Sequence, residues 1–178
     1  RLGGVLLGGA AIDRAAVNVA LSAGEGVVWF AVGPEMTRLY LAANQARVRK
    51  IGADRSFEAL IAYAAERMPP GALAHARQVG PIGFFSNRDT WATQVAGNGV
   101  VLIGDAAGAV DPLGAHGTSM LFHNAHMLSE LLLASSDWDT VVAEYADRRT
   151  RAYDVIRADD RWTSLLFEDT DAAAERRA

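Results

Sequence analysis

The residue types best suited to chemistry lie in one segment, VVLIGDAAGAVDPLGAHGTS, residues 100–119. It begins with an apolar run, VVLI, that is typical of a strand buried on both faces. Asp105 follows this run, and a glycine-rich connection follows Asp105. Ligands of layered α/β folds bind beyond the carboxyl ends of the strands. An ionised carboxylate there only accepts hydrogen bonds, so Asp105 suits the paired hydroxyls of a ribitol or ribose group.

The connection from Asp105 runs for about a dozen residues, a length that is often functional. It ends at a helix predicted to begin near Thr118, whose first N–H groups and dipole would face an anionic group. Pro112 stiffens the connection, and its glycines allow a ligand to approach the backbone closely. From the residues alone, the binding candidates are therefore Asp105, the glycines of the connection, Pro112, and the helix start at Thr118 and Ser119.

Other roles for these residue types are weaker. Asp105 alone would also fit a turn or a helix cap. No Gly-Lys-Ser/Thr follows the glycines, which excludes a P-loop. A hydrolase triad would need the nucleophile elbow G-x-S-x-G, which is absent although serine, histidine and aspartate are all present at Ser119, His116 and Asp111.

A metal site is not predicted. One helix face carries histidines and a glutamate at i, i+3 and i+7, namely His123, His126 and Glu130. Two histidines and a distant glutamate make a weak site without further ligands, so packing or surface roles are favoured for them. The chain has no cysteine, which excludes disulfides, thiolate catalysis and thiolate metal ligands.

The elements around this segment can be predicted from periodicity. Antiparallel strands are expected up to about Ile51, at residues 17–21, 26–32 and 37–42, with VVWFAV covered on both faces. Ser56 is expected to cap a helix that ends at Pro69, and strand-like composition returns at residues 75–95. Two helical regions then follow, at residues 118–133 and from Ser136 onward.

Aromatic and basic residues outside the segment have less specific roles. Trp29, Phe84, Phe85 and Trp91 are core candidates, with Phe84 and Phe85 the best candidates for a substrate pocket. The arginines from Arg148 to Arg161 are expected on the solvated face of a helix.

Composition describes an ordinary soluble globular chain. Of 178 residues, 51% are hydrophobic and 21% charged, and the net charge is -4. A net negative charge does not attract nucleic acid or anionic membranes, so binding to either is not expected. No stretch approaches the roughly 20 apolar residues of a membrane span. The opening RLGGVLLGGAAID is interrupted by glycines and is expected to belong to the fold rather than to a signal peptide. A cytoplasmic location is the default expectation.

GDAAGAVDPLGAHGTS resembles the second flavin motif of FAD-dependent monooxygenases of the para-hydroxybenzoate hydroxylase class. In that family the aspartate binds the ribityl chain, and the proline loop and helix start border the flavin ring. The resemblance therefore marks eight residues as cofactor-binding: Gly104, Asp105, Pro112, Gly114, His116, Gly117, Thr118 and Ser119. Looser similarity covers nearly the whole chain, and the strand after Gly80-Pro81 faces the flavin in the family. The family's G-x-G-x-x-G is absent here, and the chain lacks an initiator methionine. The chain therefore resembles the second half of such an enzyme, with the N-terminal Rossmann half as a missing partner.

The resemblance implies an α+β fold, with an antiparallel substrate-domain sheet and part of an α/β FAD domain. The expected divisions are 1–96 for the sheet portion, 97–134 for the flavin motif and its helix, and 135–178 for a C-terminal helical region. The implied activity is FAD-dependent oxygenation of an aromatic or polyketide-like small molecule, using NAD(P)H and O2. A reductase of the geranylgeranyl-reductase kind and a non-catalytic fragment that retains the fold are the alternatives.

Overall fold

The computed structural model describes residues 1–22 and 24–167. Within them the chain folds into two compact units, Arg1–Ser86 and Asn87–Leu166. The domain divisions expected from the sequence stay predictions, and the C-terminal region extends past the described residues from Glu168 onward.

The first unit is an antiparallel sheet with two helices. Its strands lie in the order β2-β3-β4-β1-β5, with β6 also paired to β1. The bounds are β1 Leu2–Gly8, β2 Val17–Ser22, β3 Glu25–Ala31, β4 Met36–Ala42, α1 Gln45–Ile51, α2 Phe57–Ala65, β5 Arg77–Gln78 and β6 Gly83–Phe85. The three strands predicted in this region are confirmed, and the opening segment supplies the central strand β1.

The core of this unit lies between one sheet face and α2. Alternate strand residues face it, including Val5, Leu7, Val27, Trp29, Leu39 and Leu41. Helix α2 contributes Leu60 and Ala64, which its 3.6-residue period places on one side. Ser56 caps this helix as predicted, since its hydroxyl accepts a hydrogen bond from the Ala59 N–H at 3.1 Å.

The opposite sheet face is open, and the prediction that VVWFAV is covered on both faces is wrong. Val28 and Phe30 are only half-buried, whereas Val27 and Trp29 are in the core. The open face is shielded mainly by its own side chains, such as Phe30 and Tyr40 with ring centroids 6.1 Å apart. We call the residues of this surface the open face: Leu2, Leu6, Val17, Val19, Leu21, Val28, Phe30, Tyr40 and Phe85.

Helix α1 was predicted as part of the sheet, and that prediction is wrong. Asn44 caps the helix by accepting from the Arg47 N–H at 2.8 Å, and Gly52 ends it in the left-handed region. A single apolar residue, Val48, is buried, so a seven-residue helix shows almost no periodicity in the sequence.

A charged network connects β3 with both helices. The Glu25 carboxylate accepts hydrogen bonds from the Tyr63 hydroxyl and from Arg47, and Arg67 lies 3.7 Å away. Burial raises the pKa of Glu25, but these hydrogen bonds and the two arginine charges outweigh burial and hold the pKa below its ordinary value. The ionised glutamate therefore stabilises the fold.

Glu25→Gln should lower the free energy of unfolding at neutral pH by about 1–2 kcal/mol, because charge-assisted hydrogen bonds are replaced by weaker ones. A lowered folded-state pKa contributes stability that is present above the unfolded value and is lost as the pH falls through the folded value. The gap between the variant and the parent should therefore shrink below about pH 4. Urea unfolding across this pH range measures it, with the exposed Glu35→Gln as control. An unchanged gap at all pH values would contradict the role of the ionised group.

The second unit consists of two long helices and short strands. Its elements are β7 Thr90–Trp91, β8 Ala96–Gly97, β9 Val100–Val101, β10 Gly108–Ala109, α3 Gly117–Ala134 and α4 Trp138–Phe167. Both predicted helical regions are confirmed. Asp137 precedes α4 and accepts from the Thr140 N–H at 3.3 Å and from its hydroxyl at 2.7 Å. None of the described helices is both long and apolar enough to cross a membrane.

The VVLI run is not a strand buried on both faces. Only Val100–Val101 is a strand, paired with β8, and Val100 is 58% exposed. Val101 and Ile103 pack against the cluster that α3 and α4 form around Met127, Leu131, Val141 and Tyr145. Burial on both faces needs packed layers on both sides of a strand. Within the described part of the chain one side of this run is covered.

The α4 arginines do not all lie on a solvated face, so that prediction is wrong for Arg149. Arg149 is fully buried, with its guanidinium 3.8 Å from the Tyr153 ring centroid and 5.1 Å from that of Trp91. Its three guanidinium nitrogens have no hydrogen-bond partner among the described residues. The cation is held mainly between aromatic faces, a contact that composition does not reveal.

Candidate functional site

Asp105 lies in a short 3-10 helix, Gly104–Ala106, that directly follows extended backbone at Ile103. Its side chain is exposed and is not covered by neighbouring side chains. A Cβ atom placed on Gly117 would lie 3.7 Å from Asp105 Oδ1. The carboxylate therefore lies beside the first residue of α3, although the two positions are 12 apart in sequence.

Close packing around Asp105 depends on Gly104. This residue has φ +54°, in the left-handed region that favours glycine. A Cβ at Gly104 would also lie 2.8 Å from Leu121 Cδ1 on α3. Position 104 therefore favours glycine, both for its backbone conformation and for the close approach to Leu121.

The start of α3 provides unused hydrogen-bond donors. The first backbone bond at this end runs from the Met120 N–H to the His116 carbonyl, at 2.9 Å. The N–H groups of Gly117, Thr118 and Ser119 are therefore not used by the helix, and they carry the positive end of its dipole. Thr118 and Ser119 are exposed. An acceptor carboxylate and a set of donors thus lie side by side.

The connection between these two parts is held in a tight loop. Pro112–Gly114 forms a second 3-10 helix, and the Ala115 N–H bonds to the Pro112 carbonyl at 3.0 Å. Ala115 itself has φ +55°, which an alanine adopts only where the surroundings require it. Asp111 accepts a hydrogen bond of 2.9 Å from the Asn87 side chain.

His116 lies immediately before α3, but its imidazole contacts α4. Its Nε2 is 3.2 Å from Asp159 Oδ2 and 3.8 Å from Asp160 Oδ1. Gly114 has no room for a side chain here, since a Cβ would lie 2.7 Å from Asp160 Oδ1. Of the predicted binding residues, Gly104, Asp105, Gly117, Thr118 and Ser119 come together around the start of α3. Pro112 and Gly114 shape the loop.

Several contacts that support the site could not be found from spacing. Asp159 and Asp160 lie 43 and 44 positions beyond His116. They belong to α4, the helix whose arginines were predicted to lie on a solvated face. Tyr145 on α4 donates a 2.9 Å hydrogen bond to the Leu102 carbonyl, three residues before Asp105. Helix α4 therefore holds both sides of the loop, although no motif marks it.

The remaining candidates lie elsewhere. Phe84 packs against the core of the first unit, whereas Phe85 is 64% exposed on the open face beside Leu2. This alternation follows from the two-residue period of β6. His123 and His126 are exposed on α3, and His126 forms a surface pair of 3.5 Å with Glu130.

Residues 50–159 match the tryptophan halogenase family. This match covers more than half of the 178-residue chain and includes Asp105, the loop, α3 and most of α4. The chain belongs to the tryptophan halogenase family. The structural neighbours include flavin-dependent halogenases and monooxygenases, so the predicted resemblance to flavin oxygenases is confirmed.

A curated relative supports the same class. The chain is 34% identical over 80 residues to styrene monooxygenase StyA of Pseudomonas fluorescens, a stretch of 45% of this chain and 19% of that protein.

Solved structures confirm the predicted α+β flavoprotein fold. The flavin-dependent brominase Bmp2 has a TM-score of 0.74 at 16% identity, over 92% of this chain and 44% of that one. The myxobacterial chondrochloren halogenase CndH gives 0.72 at 19%, over 96% and 42%. PqsL of Pseudomonas aeruginosa, described as a probable FAD-dependent monooxygenase, gives 0.70 at 17%, over 94% and 49%. This member of the halogenase family thus spans less than half the length of these proteins.

Proposed function

We propose that this chain forms the ribityl and flavin-ring side of the active site in an FAD-dependent halogenase or monooxygenase. The observation that carries the proposal is the exposed Asp105 carboxylate beside the first N–H groups of α3, which the helix itself does not use. The Asp105 carboxylate can accept hydrogen bonds from the paired hydroxyls of a flavin's ribityl chain. The N–H groups at the helix start can donate to the negative charge on the flavin's pyrimidine edge. The residues present therefore fit FAD.

Each residue has a separate task in this proposal. Asp105 accepts hydrogen bonds from ribityl hydroxyls, and Gly104 and Gly117 leave room for the cofactor. The N–H groups of Gly117, Thr118 and Ser119 stabilise negative charge at the ring. Pro112, Gly114 and His116 hold the loop in place beside it. FAD, when bound, supplies the redox and oxygen chemistry, and these residues supply orientation and charge.

The electron source in this proposal is NAD(P)H. Halogenases receive their reduced flavin from a separate reductase, whereas the monooxygenase class suggested by the motif reduces flavin on the enzyme. The experiment below supplies electrons by both routes.

An aromatic or polyketide-like small molecule is the proposed substrate. The open face supports an apolar ligand, because it exposes Val17, Val19 and Phe85 in a protein whose other sheet face is tightly packed. Of the two phenylalanines that the sequence favours for substrate contact, Phe85 lies on this face. Phe84 lies on the other face of β6, where it packs against the core. The proposed partner is a segment that supplies the adenosine half of the FAD site, and the proposed location is the cytoplasm.

Turnover tests the function. The chain, together with the rest of its flavin site, is supplied with FAD, O2 and a panel of aromatic substrates, with NADH, NADPH or a flavin reductase as the electron source. Products are then identified by mass with and without bromide or chloride. Substrate-dependent halogenation or oxygen insertion supports the proposal. Reduction of a substrate without oxygen consumption would instead favour the reductase alternative, and no flavin-dependent product would contradict both.

A further inference from the structure

Three potential metal ligands converge where the loop before α3 meets α4. They are His116 Nε2, Asp159 Oδ2 and Asp160 Oδ1, and all lie within 4.8 Å of one another. We call these three residues the His116 cluster. Two adjacent carboxylates on one helix thus face an imidazole from a distant part of the chain.

The spacing of these atoms fits a shared cation. Nitrogen and oxygen ligands bind Zn²⁺ at about 2.0–2.2 Å, so ligand atoms around one ion are separated by roughly 3–4 Å. The imidazole nitrogen is 3.2 Å from one carboxylate and 3.8 Å from the other. Little movement is needed to bring all three onto one ion.

Asp160 provides a second and independent observation. The residue is only 7% exposed, and its Oδ2 is buried without a hydrogen-bond partner among the described residues. A buried carboxylate is costly unless its charge is compensated. One oxygen of this carboxylate, Oδ1, therefore faces His116, while the other is buried with its acceptor capacity unused among the described residues.

The Asp160 carboxylate also lies close to other negative charge, because Asp159 is the preceding residue on α4 and both carboxylates face His116. A cation bound among them would compensate both the burial of Asp160 and the repulsion between the two carboxylates.

We propose that His116, Asp159 and Asp160 bind a divalent transition-metal ion. Imidazole nitrogen favours Zn²⁺ and its neighbours over Mg²⁺ or Ca²⁺, which prefer oxygen ligands alone. Three protein ligands leave at least one position for water. Because His116 directly precedes α3, a bound ion would fix the loop before that helix to α4. All three ligands belong to this chain, so binding of the ion can be measured without flavin.

Isothermal titration calorimetry of the untagged, metal-free chain with Zn²⁺, in the absence of flavin, tests the site. The parent chain should bind one ion saturably. His116→Ala and Asp160→Asn should each weaken Zn²⁺ affinity at least tenfold. His126→Ala is the matched control, because His126 also faces a carboxylate, at 3.5 Å, yet only on the exposed surface of α3; its affinity should equal that of the parent.

Two results would overturn the proposal. One is the absence of saturable binding to the parent chain, which would leave the cluster as a plain ion pair. The other is unchanged affinity in the cluster variants, or an equal loss in His126→Ala. Asp159→Asn keeps the test valid if Asp160→Asn unfolds, because the Asp159 side chain is 60% exposed and its replacement does not disturb the interior. It should also lower the affinity, with unchanged circular dichroism.

Discussion

Asp105→Ala should weaken binding of ribityl flavins about 10- to 100-fold. A hydrogen bond to a charged group contributes about 1.5–3 kcal/mol, and each 1.4 kcal/mol is a factor of ten in affinity. The Asp105 side chain is exposed beside Gly117 and supports no core packing, so its loss should leave the fold intact. The effect is therefore expected in flavin affinity and not in stability.

A pair of ligands separates the sugar contact from the ring contact. Riboflavin carries the ribityl chain, whereas lumiflavin has the same ring without it. Fluorescence titration of the chain with both should show that Asp105→Ala weakens riboflavin alone. Asp147→Ala, which removes an exposed carboxylate paired with Arg151 on α4, is the control and should change neither affinity. A parent chain that binds neither flavin, or an equal loss for both ligands, would count against the assigned role of Asp105.

Gly4→Ala should be the most damaging single methyl addition in the sheet. A Cβ at this position would lie 1.8 Å from the Leu39 carbonyl oxygen, which is backbone of the neighbouring strand β4. Leu39 and Leu41 are both fully buried in the core, so β4 cannot shift without opening it. Overpacking usually costs 1–3 kcal/mol, and a clash with fixed backbone should reach or exceed about 3 kcal/mol. That is a large part of the stability of a typical domain.

Thermal and urea unfolding followed by circular dichroism measure this loss. Gly80→Ala is the control, because its Cβ would make an ordinary contact of 3.5 Å with Leu6 Cβ. The control should unfold within about 1 kcal/mol of the parent, since Gly80 has no left-handed backbone to strain. Equal stability of the two variants would show that β1 and β4 are not packed at Gly4 as described.

Local sequence was sufficient for the elements with their own signals. Ser56 predicts a helix start, because a side-chain oxygen can satisfy N–H groups within the next few residues, and the last helix begins close to the predicted Ser136, with Asp137 as its cap. The strands predicted at residues 17–21, 26–32 and 37–42 follow from β-branched and aromatic composition between turn residues. Helix α1 was not predicted as a helix, because seven residues with one buried side chain show too little hydrophobic periodicity.

The motif around Asp105 likewise predicts a candidate site within one segment, because glycines and a proline at fixed spacing constrain a loop locally. Tertiary packing decided which of its residues share a surface. His116, which the motif assigns to the cofactor side, contacts Asp159 and Asp160 instead, and Arg149 is buried between aromatic rings. The contacts of His116 join positions more than 40 residues apart, so only the folded chain brings these side chains together. Burying a charged group costs free energy, which a partner group offsets, and a local sequence pattern shows neither the burial nor the partner.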